Sequence, residues 1–129
     1  MSDNFQIDLD KMVSVAVNAL EDIKAKDIIV LDTTTKTSLF SRMIIASGDS
    51  NRQVKALTNN VAVDLKEAGY EIISTEGTDS GEWALVDVGD LVVHVMQPAV
   101  RDYYNIEALW GGEKPSFHEG AVKPWHAAD

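Results

Sequence analysis

The stretch Trp83–Trp110, WALVDVGDLVVHVMQPAVRDYYNIEALW, carries the two patterns that decide the fold. On either side of Val88-Gly89, residues of two kinds alternate with the period of a half-buried strand. From Pro98, which has no N–H to lose in a first helical turn, the spacing predicts a helix to about Trp110, stopped by Gly111 and Gly112. Read as a two-residue hairpin turn, Val88-Gly89 pairs Asp87 with Asp90, Leu85 with Val92 and Trp83 with His94. Those residues would share one face of the ribbon. Ala84, Val86, Leu91, Val93 and Val95 would share the other, an entirely apolar face that belongs against helices.

Upstream, Leu9, Met12, Val13, Ala16, Leu20 and Ile23 fall three or four apart and predict an amphipathic helix over Asp8–Lys24. Asp27–Thr33 (DIIVLDT) is a nearly continuous apolar run, expected of a strand buried on both faces, and Met43–Gly48 (MIIASG) predicts a second buried strand. Ser50 with Gln53 three residues on is a capping box. It opens a helix with the stripe Val54, Leu57, Val61, Leu65 and Ala68, and Gly69 stands where a left-handed C-cap is needed. Tyr70–Thr75 (YEIIST) predicts a further strand and Glu76–Glu82 (EGTDSGE) a polar loop. The order α-β-β-α-β-β-β-α implies an α/β single domain with a mixed five-stranded sheet and flanking helices. We expect this domain over residues 1–110 and a loosely ordered C-terminal tail over 111–129, which holds Phe117, Trp125 and two of the three prolines.

The 129 residues suffice for one core, and no apolar run approaches the length of a membrane span. The first residues, MSDNFQIDLDKMV, lack the plan of an export or organelle-targeting segment, so a soluble cytoplasmic domain is expected, with no membrane partner. The absence of cysteine excludes disulfides and thiolate chemistry. Net charge is −10, from 21 acidic and 11 basic residues. That field opposes direct readout of nucleic acid, whose affinity comes from Lys and Arg, and favours encounter with a basic protein.

Candidate functional residues concentrate in the opening stretch. Trp83 is either rim packing or a binding anchor, since tryptophan is over-represented among interface hot spots. Asp87 and Asp90 are ordinary turn-capping residues by type, with a metal role as the less common alternative. His94 would need two or three strong partners to bind a metal, and the other histidines, His118 and His126, fall in the tail. Arg101, Tyr104 and Ala108 would share one face of the last helix, with Tyr103, Ile106 and Trp110 on a neighbouring one. Ser47–Ser50 (SGDS) could cradle a phosphate but lacks the glycines and lysine of a P-loop, and helix capping explains it. Ser38 and Ser41 have no His/Asp partner at interpretable spacing.

Taken together, DIIVLD, MIIASGDSNRQVKAL, EG (Glu76-Gly77) before a loop, WALVDVGDLVVHVM and RDYYNIEALW, in order from about Leu20 to Trp110, resemble the ribosomal silencing factor (Iojap) family. The resemblance implies a nucleotidyltransferase-like fold put to a non-enzymatic use, without a cofactor. Such a protein docks on the large ribosomal subunit, through ribosomal protein fourteen of that subunit, and obstructs joining of the small subunit during starvation or stationary phase. By match to the motif, Trp83, Asp87, Val88, Gly89, Asp90 and His94 carry over to the recognition surface or its support, with Arg101 and Tyr104 added from the last helix. Homodimer formation stays open. The rival is a metal-dependent nucleotidyl- or phosphoryl-transfer enzyme using Asp87, Asp90 and Asp32 with His94 nearby, but no Asp-x-Asp follows the Ser-Gly turn on the next strands. A third reading is an adaptor for another basic protein.

Overall fold

Helix α1 (Ser2–Asp22) leads through a tight turn to strand β1 (Lys26–Asp32), and an irregular loop returns the chain to β2 (Arg42–Ser47). There follow α2 (Asn51–Glu67), β3 (Ser74–Glu76), β4 (Trp83–Asp87), β5 (Leu91–Met96) and two short helices, α3 (Pro98–Tyr104) and α4 (Ile106–Leu109). The structure is a computed structural model that describes residues 2–110. The expectation for the tail 111–129 lies outside the described residues.

The sheet order is β1-β2-β5-β4-β3, with β2 and β5 parallel and every other pair antiparallel. This is the mixed five-stranded α/β architecture expected. One face carries Ile44, Ala46, Ala84, Val86, Leu91, Val93 and Val95, all buried against the stripes of α1 (Leu9, Met12, Ala16, Leu20) and α2 (Val54, Leu57, Val61, Leu65). The Ser50 half of the capping box forms, with Ser50 Oγ accepting from Gln53 N–H at 3.1 Å, while Gln53 Oε1 reaches one residue further back and accepts from Asp49 N–H at 2.6 Å. The Gln53 amide also donates to Ile23 O (3.0 Å) and Lys24 O (3.2 Å), tying the start of α2 to the end of α1. Gly69, at φ +100°, takes the left-handed conformation that ends α2.

Four expectations are corrected. First, β1 is not buried on both faces: it is an edge strand with β2 as its neighbour, and Val30 stays 44% exposed. The burial that an apolar run advertises goes instead to β2, between β1 and β5 at the inner sheet. Second, YEIIST yields ladder pairing from Ser74 only. Before it, Ile73 N–H bonds to Asp87 O at 2.8 Å, outside the strand.

Third, the hairpin register differs by two residues. Leu85 faces His94, Asp87 faces Val92 and Trp83 faces Met96, while Val88 N–H bonds to Leu91 O at 2.9 Å. Gly89-Asp90, not Val88-Gly89, therefore forms the turn. The cause is conformational: the first turn residue has φ +94°, a value glycine adopts freely and a β-branched valine does not. A slip of two preserves every side chain's face, so the expected apolar face is right although the partners are not. Asp87 and Asp90 are no longer opposed, which removes the like-charge repulsion that pairing would have brought.

Fourth, the last helix is not continuous. Asn105 sits at φ 51°, ψ 50°, a left-handed conformation that asparagine tolerates better than most residues, and separates α3 from α4. The break turns Ile106 and Glu107 inward, and Ile106 joins Met43, Ile45 and Met96 in a second small core on the other face of the sheet, closed by Phe40 and Trp110 at a ring separation of 5.1 Å. Arg101 is buried at 5% exposure: its Nη2 and Nε donate to Glu107 Oε2 (3.1 and 3.3 Å) and its Nη1 to Ser47 Oγ (2.8 Å). One guanidinium thus joins α3, α4 and the end of β2. Arg101→Leu, which leaves the buried Glu107 carboxylate without its guanidinium, is expected to cost about 3–5 kcal/mol in urea unfolding, far more than an exposed ion pair would.

Candidate docking surface around Trp83

Helices α3 and α4 cover only part of the second sheet face. The rest presents Trp83, Leu85, Asp87, Val92 and His94, all half-buried, as the alternation of β4 and β5 requires. Trp83 begins β4 and is the centre of this region. Its Nε1–H donates to His94 Nδ1 at 3.0 Å, and the two rings stand 5.9 Å apart. Because Leu85 is the residue opposite His94, Trp83 reaches it diagonally across the ladder, a distance a long aromatic side chain can span. Burial drives the His94 pKa down to about 4, so the ring is neutral near pH 7. With Nδ1 accepting, the single ring proton belongs on Nε2.

Tyr104 also meets the indole, ring centroid 4.9 Å away and tilted by 47°, and Tyr103 stacks edge-on against Tyr104 at 4.9 Å. Tyr103 is 79% and Tyr104 53% exposed, so aromatic area faces outward that contributes nothing to the core. Two shallow depressions flank the indole. One, of about 330 Å³, is lined by Glu82, Trp83, Val100, Tyr103 and Tyr104 among others, and the second, of about 240 Å³, by Glu76, Gly77, Trp83, Leu85 and His94. Neither lining holds a lysine or arginine, and each has one carboxylate.

The start of β4 is held from beneath. Gly77 has φ +81°, and a Cβ there would stand 2.1 Å from Trp83 O, so only glycine lets the loop pass flat against the Trp83 backbone. Gln97 N–H bonds to Glu82 O at 3.0 Å, while the Gln97 amide donates to Gly81 O (3.0 Å) and to Asn51 Oδ1. Gly81 and Gln97 are not among the residues the sequence singles out, and Gly77 enters only through the EG pair of the family resemblance. A glycine pair in the loop was visible, but the backbones it lies against are distant in sequence.

The expected site residues separate into three places. Trp83, His94 and Tyr104 come together. Asp87, Val88, Gly89 and Asp90 form the hairpin tip, roughly 13 Å along β4 from Trp83 at the usual strand rise. There Asp87 Oδ1 accepts from Gly89 N–H at 2.9 Å, turn capping as its residue type suggests, and Val88 is buried. Arg101 lies under the aromatic helix rather than on it, clasped by Glu107 and Ser47.

Two carboxylates of the rival reading, Asp87 and Asp32, are engaged locally. Asp32 Oδ1 accepts from the Thr34 hydroxyl (2.6 Å) and N–H (3.0 Å) and pairs with Arg42 at 3.2 Å; the Thr34 hydroxyl bond leads in holding its carboxyl below the usual range. Among the described residues no group of three His, Asp or Glu side chains converges in metal-binding geometry. At the SGDS turn, Asp49 pairs with Lys26 at 2.6 Å and Ser50 caps α2, so capping describes it.

With this geometry in view, residues 6–128 match the family model described as "Ribosomal silencing factor during starvation". The chain is 67% identical over 121 residues to the ribosomal silencing factor RsfS of Chromobacterium violaceum, covering 94% of this chain and 99% of that one. A crystal structure of a Chromobacterium violaceum protein superposes with a TM-score of 0.81 at 69% identity, covering 90% of this chain and 97% of that chain. A more distant relative, 31% identical over 108 residues, is a mouse protein named for mitochondrial assembly of the ribosomal large subunit; the match covers 81% of this chain and 46% of that one.

The buried imidazole makes a pH signature. The unfolded chain takes up a proton near the ordinary pKa of 6.5 and the folded chain only near 4. Stability carried by neutral His94 is therefore complete above about pH 6.5 and is lost as pH falls towards 4. Against His94→Asn, which keeps an acceptor but does not titrate, the wild type is expected to lose up to about 3 kcal/mol between pH 7 and pH 4, measured by urea unfolding at each pH.

Proposed function

The chain belongs to the ribosomal silencing factor family, and from that premise we propose that it binds the large ribosomal subunit and blocks joining of the small one. The observation that carries this reading is the aromatic group in which the exposed Tyr103 and Tyr104 of α3 border the half-buried Trp83 at the start of β4. Trp and Tyr are the residues that anchor interfaces, because they bring large contact area with few rotors. The acidic balance of the chain favours a basic surface as target. The name of the mouse relative supports the large subunit as that target, and ribosomal protein fourteen of that subunit is the contact we favour.

In this mechanism Trp83 and Tyr104 seat against the partner, and the Val88-Gly89 segment with Asp87 and Asp90 meets basic groups at the hairpin tip. His94 and Arg101 act from below, one on the indole and the other on the helix that carries the tyrosines. No bond is made or broken: the body of the domain occupies space the small subunit needs, in the cytoplasm and under starvation. Of the carboxylates in the alternative metal site, Asp87 accepts from Gly89 N–H and Asp32 from Thr34.

The test is co-sedimentation with separated subunits on sucrose gradients, followed by addition of the opposite subunit. Binding to the large subunit alone with fewer joined ribosomes is the expected result, and binding to neither would sink the reading. Trp83→Ala is expected to weaken large-subunit binding by about 2 kcal/mol or more, as for a central aromatic anchor. Indistinguishable affinity would remove Trp83 from the interface.

A further inference from the structure

The geometry points to His94 as the positioning residue of the docking surface, an acceptor on a rigid strand that holds the Trp83 indole in its presenting orientation. This rests on the docking reading above and deepens it. Trp83 lies at the first residue of β4, half-buried at the edge of the second core and beside a loop, where a side chain at a strand end has more than one staggered well open to it. Ordering such a side chain at the moment of binding weakens binding, and ordering it beforehand avoids that cost.

His94 is suited to do the ordering. It sits on β5, paired on one side to β2 and on the other to β4, so its backbone is fixed from both directions. Its neighbours across the ladders are Ile45 and Leu85, an apolar setting in which a leucine would pack as readily as an imidazole. What the imidazole adds is a lone pair, and at Nδ1 that lone pair receives the Trp83 N–H at 3.0 Å. Burial keeps the ring neutral, the state in which Nδ1 can accept. With the Tyr104 ring 4.9 Å away as well, the indole is contacted by both a fixed acceptor and a ring from α3. The N–H of Trp83 is thereby satisfied inside the protein, leaving its ring surface rather than its donor to meet the partner.

The experiment measures large-subunit affinity, the Trp83 indole N–H resonance and the thermal midpoint for wild type, His94→Leu and His94→Asn. His94→Leu removes the acceptor, and His94→Asn sets an amide oxygen near the Nδ1 position. Expected are a fall in affinity of about tenfold for His94→Leu, the scale of one lost hydrogen bond, with a displaced indole resonance. His94→Asn should keep both close to wild type. A second variant guards against poor folding of His94→Leu: benzothienylalanine at position 83 keeps the ring shape and His94 but has sulfur in place of N–H, and it should lose affinity to the same extent.

The inference is overturned if His94→Leu or the sulfur analogue binds as wild type does, or if Asn is as weak as Leu, since bulk rather than the acceptor would then matter. The docking reading fails differently, when the wild-type protein itself sediments with neither subunit. Loss of binding by Trp83→Ala with none in His94→Leu would leave docking standing and remove the positioning role.

Discussion

The parallel pairing of β2 with β5 is the constraint on which the rest of the structure depends. It brings a strand from the first half of the chain alongside the hairpin of the second, in register from Arg42↔Leu91 to Ser47↔Met96. Every residue of β2 from Met43 to Ser47 is buried, alternately under α1 and α2 on one face and beneath α3 and α4 on the other. A parallel pair needs a long crossover, and α2 with β3 and β4 supplies it. The same pairing sets Ser47 at the C-terminal end of β2, where Arg101 reaches it.

Around that centre the two faces are treated unequally. The α1/α2 face is a large apolar core in which every inward position of β4 and β5 is aliphatic. The other face has a small core with a buried Arg101–Glu107 pair in place of more hydrocarbon. A buried ion pair adds little net stability relative to apolar packing, but its directional bonds hold two short helices in one arrangement across the Asn105 break. That arrangement is what sets the Tyr103–Tyr104 pair beside Trp83, so the polar clasp below and the aromatic surface above are parts of one device.

The candidate site was legible to different depths. Alternation along β4 and β5 identified which residues share the open face, and the compound motif singled out Trp83, His94 and Tyr104, which the fold does bring together. The hairpin aspartates lie apart from them, because strand length separates the tip from the indole. Arg101 looked like a surface cation on helical spacing. Nothing local shows that Asn105 would leave the helix and swing Glu107 round to meet it.

Sequence alone determined what depends on neighbours along the chain: helix stripes, the Ser50–Gln53 cap, the glycine that ends α2, the core face of each strand and the acidic balance. These follow from fixed periods and from which residue types satisfy a helix end or a turn. Tertiary structure decided what depends on residues far apart. Those are the edge position of β1, the two-residue shift of the hairpin, the burial of Arg101 and the hydrogen bond from Trp83 to His94. The physical reason is degeneracy: a strand shifted by two keeps every side chain on its face, and an apolar run reads alike at the edge or the centre of a sheet. Only packing of the whole chain lifts that degeneracy, and with it the orientation of the indole on which the docking surface turns.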